Sequence, residues 1–284
     1  MAGGVSGIGM VSDNVSRGYF KTHRILPLES PWMQSKPTDL APVDIRLLEL
    51  QNEVRAHFGW GLTEDVESAH SLLSEVESCD VESWSRARRV QTVASLHRRL
   101  VLRETDVAIL GAAITTDEVE EVLAGNTLLI AADGSCGVLD TLPDSMAERA
   151  WSRLACVVSD ADGGEGTVAA VKRGIPIILH AHGDNTAEWS ELLAFSSSRR
   201  TPPPIVLTHQ TPDSIEGMHN PGGFTDGDRA VCFARALGVS RERIKLLGTR
   251  TDLVGAWSGA TDPERKLVKL QWMAKVLQHL GFLV

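Results

Sequence analysis

The sequence is poor in several of the features that would assign a protein to a class at once. Its 284 residues hold four cysteines, Cys79, Cys136, Cys156 and Cys232, scattered and with no C-x-x-C pair. That scatter argues against a disulfide framework and reads as reduced thiols of a cytoplasmic protein. No run approaches the apolar length of about 20 residues that a membrane span requires, so no membrane partner is expected. The opening MAGGVSGIGMVSDNVSRGYF lacks a basic start followed by an apolar core, so no secretory signal is expected. Basic residues are in deficit, 28 Lys and Arg against 37 Asp and Glu, for a formal charge of -9. No basic patch stands out, which argues against a nucleic-acid partner. The excess acid suits a protein that gathers cations, although it also serves solubility. There is no internal repeat. No G-x-G-x-x-G follows the first β-prone run, where Gly111 leads into Ala112, Ala113, Ile114 and Thr115, so no dinucleotide site is inferred. The seven tryptophans carry no readable chemistry. At 43% hydrophobic and 23% charged, the remaining composition is that of an ordinary globular protein.

What is present falls into three stretches. Residues 1–41 are rich in Gly, Ser and Pro without periodicity and are expected to be extended or partly disordered. Residues 42–103 have apolar positions at helical spacing in DIRLLELQNEVRAHFGW, TEDVESAHSLLSEV and WSRARRVQTVASLHRRLVL, which predicts three helices, the second starting at Thr63. Residues 104–284 change rhythm. Six short β-prone runs, 106–110, 127–132, 154–159, 175–181, 204–208 and 244–248, mostly alternate with amphipathic stretches, and DPERKLVKLQWMAKVLQHL closes the chain. Continuous apolar strands separated by helices predict an α/β fold: a mainly parallel, doubly wound, Rossmann-like sheet covered on both faces, with a helical N-terminal region.

In such a sheet ligands bind beyond the carboxyl ends of the strands. The residues just after the predicted strands are therefore the ones to read. Asp133, Asp160, Asp162, Asp184, Asp226 and Asp228 all fall on these loops. A single Asp there is ordinary, because aspartate is common in turns and at helix N-caps. Six on one edge repel one another unless a cation sits among them, and hard oxygen ligands suit Mg2+. Gly222, Gly223 and Gly227 in GGFTDGDRA precede a helix, where backbone N–H groups can approach phosphate, and Arg229 can add a bidentate contact. The same loop also reads as a flexible turn with Thr225 or Asp226 as the helix cap. HAHGDN, residues 180–185, packs two imidazoles, a carboxylate and a carboxamide into six residues after an oily strand. His180 and His182 form an H-x-H pair that a transition metal could use, which seeds a rival reading as a metal-dependent hydrolase, although a lone buried His is more often hydrogen-bonded structure than ligand. His182, Asp184 and Asn185 suit phosphate or a polar heterocycle equally well. Lys266 and Lys269 are i, i+3 neighbours on the last helix, and spacing alone makes them a solvated face.

Taken in order, AADGS (131–135), SDADGG (159–164), HAHGDN (180–185), T-x-Q at Thr208 and Gln210, GGFTDGDRA (222–230) and KLVKL (266–270) form a pattern. It resembles the archaeal-type 6-hydroxymethyl-7,8-dihydropterin pyrophosphokinases, whose core is similar to thiamin pyrophosphokinase. The resemblance covers roughly residues 45–284. It implies transfer of the diphosphate of ATP to the hydroxymethyl group of a reduced pterin with release of AMP, in folate or methanopterin-type cofactor synthesis. It implies Mg2+, small-molecule substrates, a cytoplasmic setting, and leaves a homo-oligomer open. Carried onto matching positions, Asp133, Asp160, Asp162, Asp226 and Asp228 would be the catalytic and metal centre. His182, Asp184, Asn185, Thr208, Gln210, Gly222, Gly223, Thr225, Arg229, Lys266 and Lys269 would contact ATP or the pterin, with Asn185, Gln210 or a buried carboxylate reading the pterin edge. The sequence departs from the pattern at Gly111–Thr115, where a GAGPS-like loop is usual, at Ala161, where DLDG is usual, and at Gly248–Asp252, where a Met-Asp pair is frequent. The rival readings are a thiamin diphosphokinase, a glycosyltransferase-like enzyme and the metal-dependent hydrolase.

Overall fold

The computed structural model describes residues 40–259 and 261–284. The expected extended tail, 1–41, therefore lies outside the described residues except for Leu40 and Ala41. Leu40 is buried, and its N–H reaches His219 Nδ1 at 3.4 Å.

Six strands form one parallel sheet: β1 (Val107–Leu110), β2 (Leu128–Ala132), β3 (Leu154–Ser159), β4 (Ile177–Ala181), β5 (Ile205–His209) and β6 (Ile244–Leu247). Their spatial order is β5-β4-β3-β2-β1-β6, with every neighbouring pair parallel. The doubly wound expectation holds because side chains alternate between two buried faces. Ala108, Leu110, Leu129, Ala131, Leu179 and Leu207 enter one core, while Val107, Ile109, Ile130, Ile178 and Val206 enter the other. The register slips between Leu129 and Ile130 against β3, so Ala155 and Cys156 both face the second core. Such a slip places one extra residue on one strand.

The three N-terminal helices are α1 (Arg46–Phe58), α2 (Leu62–Ser78) and α3 (Arg86–Leu100). The second begins one residue earlier than expected. Gly61 is the N-cap and makes no side-chain cap, so Thr63 lies inside the first turn. These helices wrap the sheet. Ala69, Leu72 and Val76 of α2 join the first core, and Val93, Leu96 and Leu100 of α3 join the second. Leu47, Leu50 and Val54 of α1 join a third core with Phe224, Trp272 and Val276.

The remaining helices are α4 (Thr116–Leu123), α5 (Asp144–Arg153), α6 (Gly164–Lys172), α7 (Thr186–Ser197), α8 (Asp226–Leu237) and α9 (Pro263–His279). Strands β1 to β5 are laid down successively outward, then the chain returns across the sheet to place β6 on the other side of β1. The order reverses at β1, so loops 111–115 and 248–255 part there and open a crevice at the carboxyl ends. None of the described helices is long and apolar enough to cross a membrane.

If α3 is part of the core, Leu96→Ala should cost about 2–5 kcal/mol of unfolding free energy. Val90→Ala, on the exposed side of the same helix, should stay within about 0.5 kcal/mol. Denaturant midpoints of the two variants measure the contrast, and equal shifts would detach α3 from the sheet.

Candidate active site

The acids converge because of how the strand ends are built. Asp133 follows β2 directly and has φ 50°, a left-handed conformation that non-glycine residues rarely adopt. Its side chain is held by Ser159 Oγ at 2.5 Å and Thr167 Oγ1 at 3.3 Å, both donating to Oδ1. The 133–137 segment and the 160–166 loop interlock through glycine. A Cβ on Gly134 would meet the Gly163 carbonyl at 2.6 Å, and one on Gly163 would collide with Asp133 Oδ1. Ser135 Oγ donates to the Leu110 carbonyl at 2.8 Å and ties this segment to β1.

Asp160 follows β3 and Asp226 opens α8. Oxygens of Asp133, Asp160 and Asp226 all lie within 4.8 Å of one another. Burial, with Asp226, Asp160 and Asp162 nearby, pushes the Asp133 carboxyl well above the usual range. Burial and Asp160 push Asp226 up to about 7. Asp162, at the rim, is raised by burial and by Asp160. Asp160 goes the other way: burial opposes its charge, but His182 and Arg229 hold it well below the usual carboxylate range. Its Oδ1 is buried without a hydrogen-bond partner among the described residues. Three converging carboxylates, two of them unwilling to ionise for lack of countercharge, and an orphaned buried oxygen suit a hard divalent cation.

Cations surround this acid core. Arg229 of α8 is buried, with Nη1 at 3.4 Å from Asp226 and 3.8 Å from Asp160. His182 lies between two carboxylates, Nε2 at 3.2 Å from Asp160 and Nδ1 at 2.7 Å from Asp184. Burial works against its charge, yet those two hydrogen bonds hold its pKa up at about 9, so it is an imidazolium at neutral pH. Lys266 and Lys269 of α9 face the same cleft, and burial beside Lys266 lowers Lys269. Gly111, Ala112, Ala113, Gly248 and Thr249 line the cleft at the β1–β6 crevice, and Trp60 and Phe224 line it as well.

No protein-family model matches the chain. Curated relatives do match it. A protein of Methanothermobacter thermautotrophicus named 6-hydroxymethyl-7,8-dihydropterin pyrophosphokinase is 33% identical over 166 residues, 54% of this chain and 62% of that protein. A Pyrococcus furiosus protein of the same name is 31% identical over 131 residues, 44% of this chain and 52% of that one. One from Methanocaldococcus jannaschii is 26% identical over 197 residues, 64% of this chain and 69% of that one. The chain is similar to these three proteins over part of its length. It spans about three-fifths and about half of the length of the first two. The family resemblance drawn from the motifs and the names of these relatives agree.

Several residues expected to contact metal or substrates of such an enzyme are occupied elsewhere. Asp228 is fully buried and caps α8: Oδ2 accepts from Phe224 N at 2.6 Å, and Oδ1 accepts from Thr225 N at 2.7 Å and Thr225 Oγ1 at 2.5 Å. Engaged in this capping box, Asp228 does not join the three converging oxygens, where the sequence had placed it. The helix cap is Thr225, not Asp226. Asn185 donates to the carbonyls of Asp160 and His180, both at 2.8 Å, and accepts from His182 N at 2.9 Å, so its amide shapes the loop. Thr208 Oγ1 meets buried His180 Nδ1 at 3.0 Å. Gly222 and Gly223, both at φ 91°, are needed for close packing: a Cβ would meet Leu47 or the Arg229 backbone at 2.7 Å. The H-x-H pair is not a chelate, since His180 is tied into the interior and both His182 nitrogens face carboxylates. The hydrolase reading loses its geometric basis.

Sequence reasoning missed Arg55 and Asp65. Asp65 Oδ2 accepts from Arg55 Nη1 at 2.9 Å, and its Oδ1 accepts from Gly183 N at 2.9 Å, so α1 and α2 reach the HAHGDN loop. A signal was there. Asp65 shares a stripe with Ala69, Leu72 and Val76, and Arg55 adjoins Leu47, Leu50 and Val54. A charge on the buried stripe of an amphipathic helix needs a partner.

The raised carboxyls give a pH dependence. Asp226 titrates near 4 in the unfolded chain and at about 7 in the folded one. Its stabilising contribution is full below about pH 4 and is lost as pH rises through about 7, because the folded chain binds more protons between those values. A cation that binds the ionised carboxylates reverses the loss. Excess magnesium chloride should raise the melting temperature more at pH 8 than at pH 5 in scanning calorimetry. Equal shifts, or none, would remove the three carboxylates as a cation site.

Proposed function

We propose that the chain is a 6-hydroxymethyl-7,8-dihydropterin diphosphokinase, moving the diphosphate of ATP to the pterin hydroxymethyl group and releasing AMP. The observation that carries this reading is the convergence of Asp133, Asp160 and Asp226 within 4.8 Å, ringed by Arg229, His182, Lys266 and Lys269. A site with only acids would hold a cation, and a site with only bases would hold an anion. This one has both, as a metal-bound polyphosphate requires. The names of the relatives supply the acceptor.

Asp133, Asp160 and Asp226 would hold Mg2+. Held there, it would supply positive charge against the phosphate oxygens as charge develops during transfer. The chain's residues do the rest. Arg229 and His182 meet phosphate oxygens at the floor of the cleft, and Lys266 and Lys269 meet them from α9. We assign the hydroxyl proton to Asp162, which stands outside the three-oxygen set and whose carboxyl is raised. The pterin oxygen attacks the β-phosphorus, the bond from that phosphorus to the α-bridging oxygen breaks, and AMP leaves. Asn185 and Gln210 are hydrogen-bonded to protein, so the flat rings of ATP and pterin rely on the walls near Trp257 and near Trp60 and Phe224.

The test is a product assay with ATP, Mg2+ and 6-hydroxymethyl-7,8-dihydropterin that separates AMP from ADP. AMP formed in step with pterin diphosphate is expected; ADP, or no pterin-dependent product, would reject the reading. Asp226→Asn should lower kcat by at least about a hundredfold. Its metal-free melting temperature should equal or exceed the parent's, because like-charge repulsion is relieved. Wild-type turnover in this variant would remove Asp226 from the centre.

A further inference from the structure

Arg229 is held by more than the acids beside it. Its Nη2 donates to Gln210 Oε1 at 3.1 Å, and Gln210 Nε2 donates to both oxygens of Asp65 at 2.9 Å. Asp65 also accepts from Arg55 Nη1 and from Gly183 N, and Arg55 Nη1 donates to the Gln210 carbonyl as well, each at 2.9 Å. All four side chains are buried, at 3 to 6% exposure. The relay runs from α1 and α2, through the residue after β5, to the guanidinium beside Asp160 and Asp226.

Its polarity is fixed at Asp65. A carboxylate only accepts, so it takes the amide nitrogen of Gln210 and leaves the amide oxygen facing Arg229. Of the three groups that donate to Asp65, Arg55 and Gly183 N can only donate. Gln210 alone can become an acceptor, by turning its amide over. If it turned, its NH2 would face the Arg229 guanidinium, donor against donor, and Arg229 would lose the contact that aims it.

We propose that Asp65 is a positioning residue for the phosphate-binding guanidinium of Arg229, acting through the orientation of the Gln210 amide and braced by Arg55. This rests on the reading of Arg229 as a phosphate ligand. It gives the N-terminal helices a part in the reaction beyond covering the sheet.

The experiment measures binding of the non-hydrolysable α,β-methylene analogue of ATP with Mg2+ to the full chain by calorimetric titration, beside each variant's melting temperature. Asp65→Asn should weaken binding about tenfold, the effect of losing one charge-assisted hydrogen bond. The double variant D65N/Q210E exchanges the amide and the carboxylate, so a carboxylate again accepts from both sides with net charge unchanged. It should recover binding to within about threefold of wild type. A purely structural role would lower the melting temperature of D65N and leave its affinity alone, with no specific rescue; either result overturns the proposal. If D65N fails to fold, Gln210→Met removes the acceptor at similar volume and should show the same tenfold loss, whereas wild-type affinity would overturn the relay. A wild-type protein that binds no analogue would reject the diphosphokinase reading itself and, with it, any role for Asp65 in aiming Arg229 at phosphate. Normal wild-type binding with unaffected variants would reject the relay alone.

Discussion

Three carboxylates held within 4.8 Å of one another are the constraint around which this molecule is arranged. Like charges at that separation, away from water, oppose folding unless countercharge is supplied. The protein supplies part of it with Arg229 and with His182, kept protonated by Asp160 and Asp184. The part left over is what a hard divalent cation would supply. Asp133 and Asp226 resist ionisation, and one Asp160 oxygen has no partner among the described residues.

Holding repelling groups in place requires a stiff frame, and the frame is visible in the backbone. Asp133 sits in a left-handed conformation braced by Ser159 and Thr167, and glycines at 134 and 163 let two loops approach more closely than any side chain would permit. The Asp228 carboxylate, fully committed to the first turn of α8, fixes where Asp226 and Arg229 emerge. It serves the site by holding the helix that carries both side chains. The same division appears in HAHGDN. His182 and Asp184 face the cleft, while His180 and Asn185 spend their hydrogen bonds on the loop and the sheet.

The N-terminal helices belong to this frame. They lie on both faces of the sheet and deliver a buried Arg55–Asp65 pair to the loops that carry His182 and Gln210. A buried ion pair is weak evidence for stability, since its desolvation offsets its attraction. Its value here lies in direction: a carboxylate cannot donate, so it sets which end of a neighbouring amide faces Arg229 and the acid cluster.

The strands, the helices and the parallel sheet were readable in the sequence because they follow from local periodicity. Runs such as 154–159 are apolar on both faces and alternate with amphipathic stretches, a pattern that a two-faced parallel sheet satisfies. That the acids fall just after strands was readable for the same reason, and the ordered motifs pointed to the relatives that were found. Which acids meet was not readable. Asp226 and Asp228 are two residues apart, yet one turns toward Asp160 and the other back onto its own helix cap, a choice made by the first turn of α8. Nor could spacing show that Asn185 and Gln210 are already satisfied, or that Asp65 lies against Gly183 across 118 residues of chain. Periodicity is a property of neighbours in sequence and is written in the residues themselves. The partner that takes up a hydrogen bond or a charge is a neighbour in space, and only packing of the sheet with its nine described α-helices brings that partner within reach.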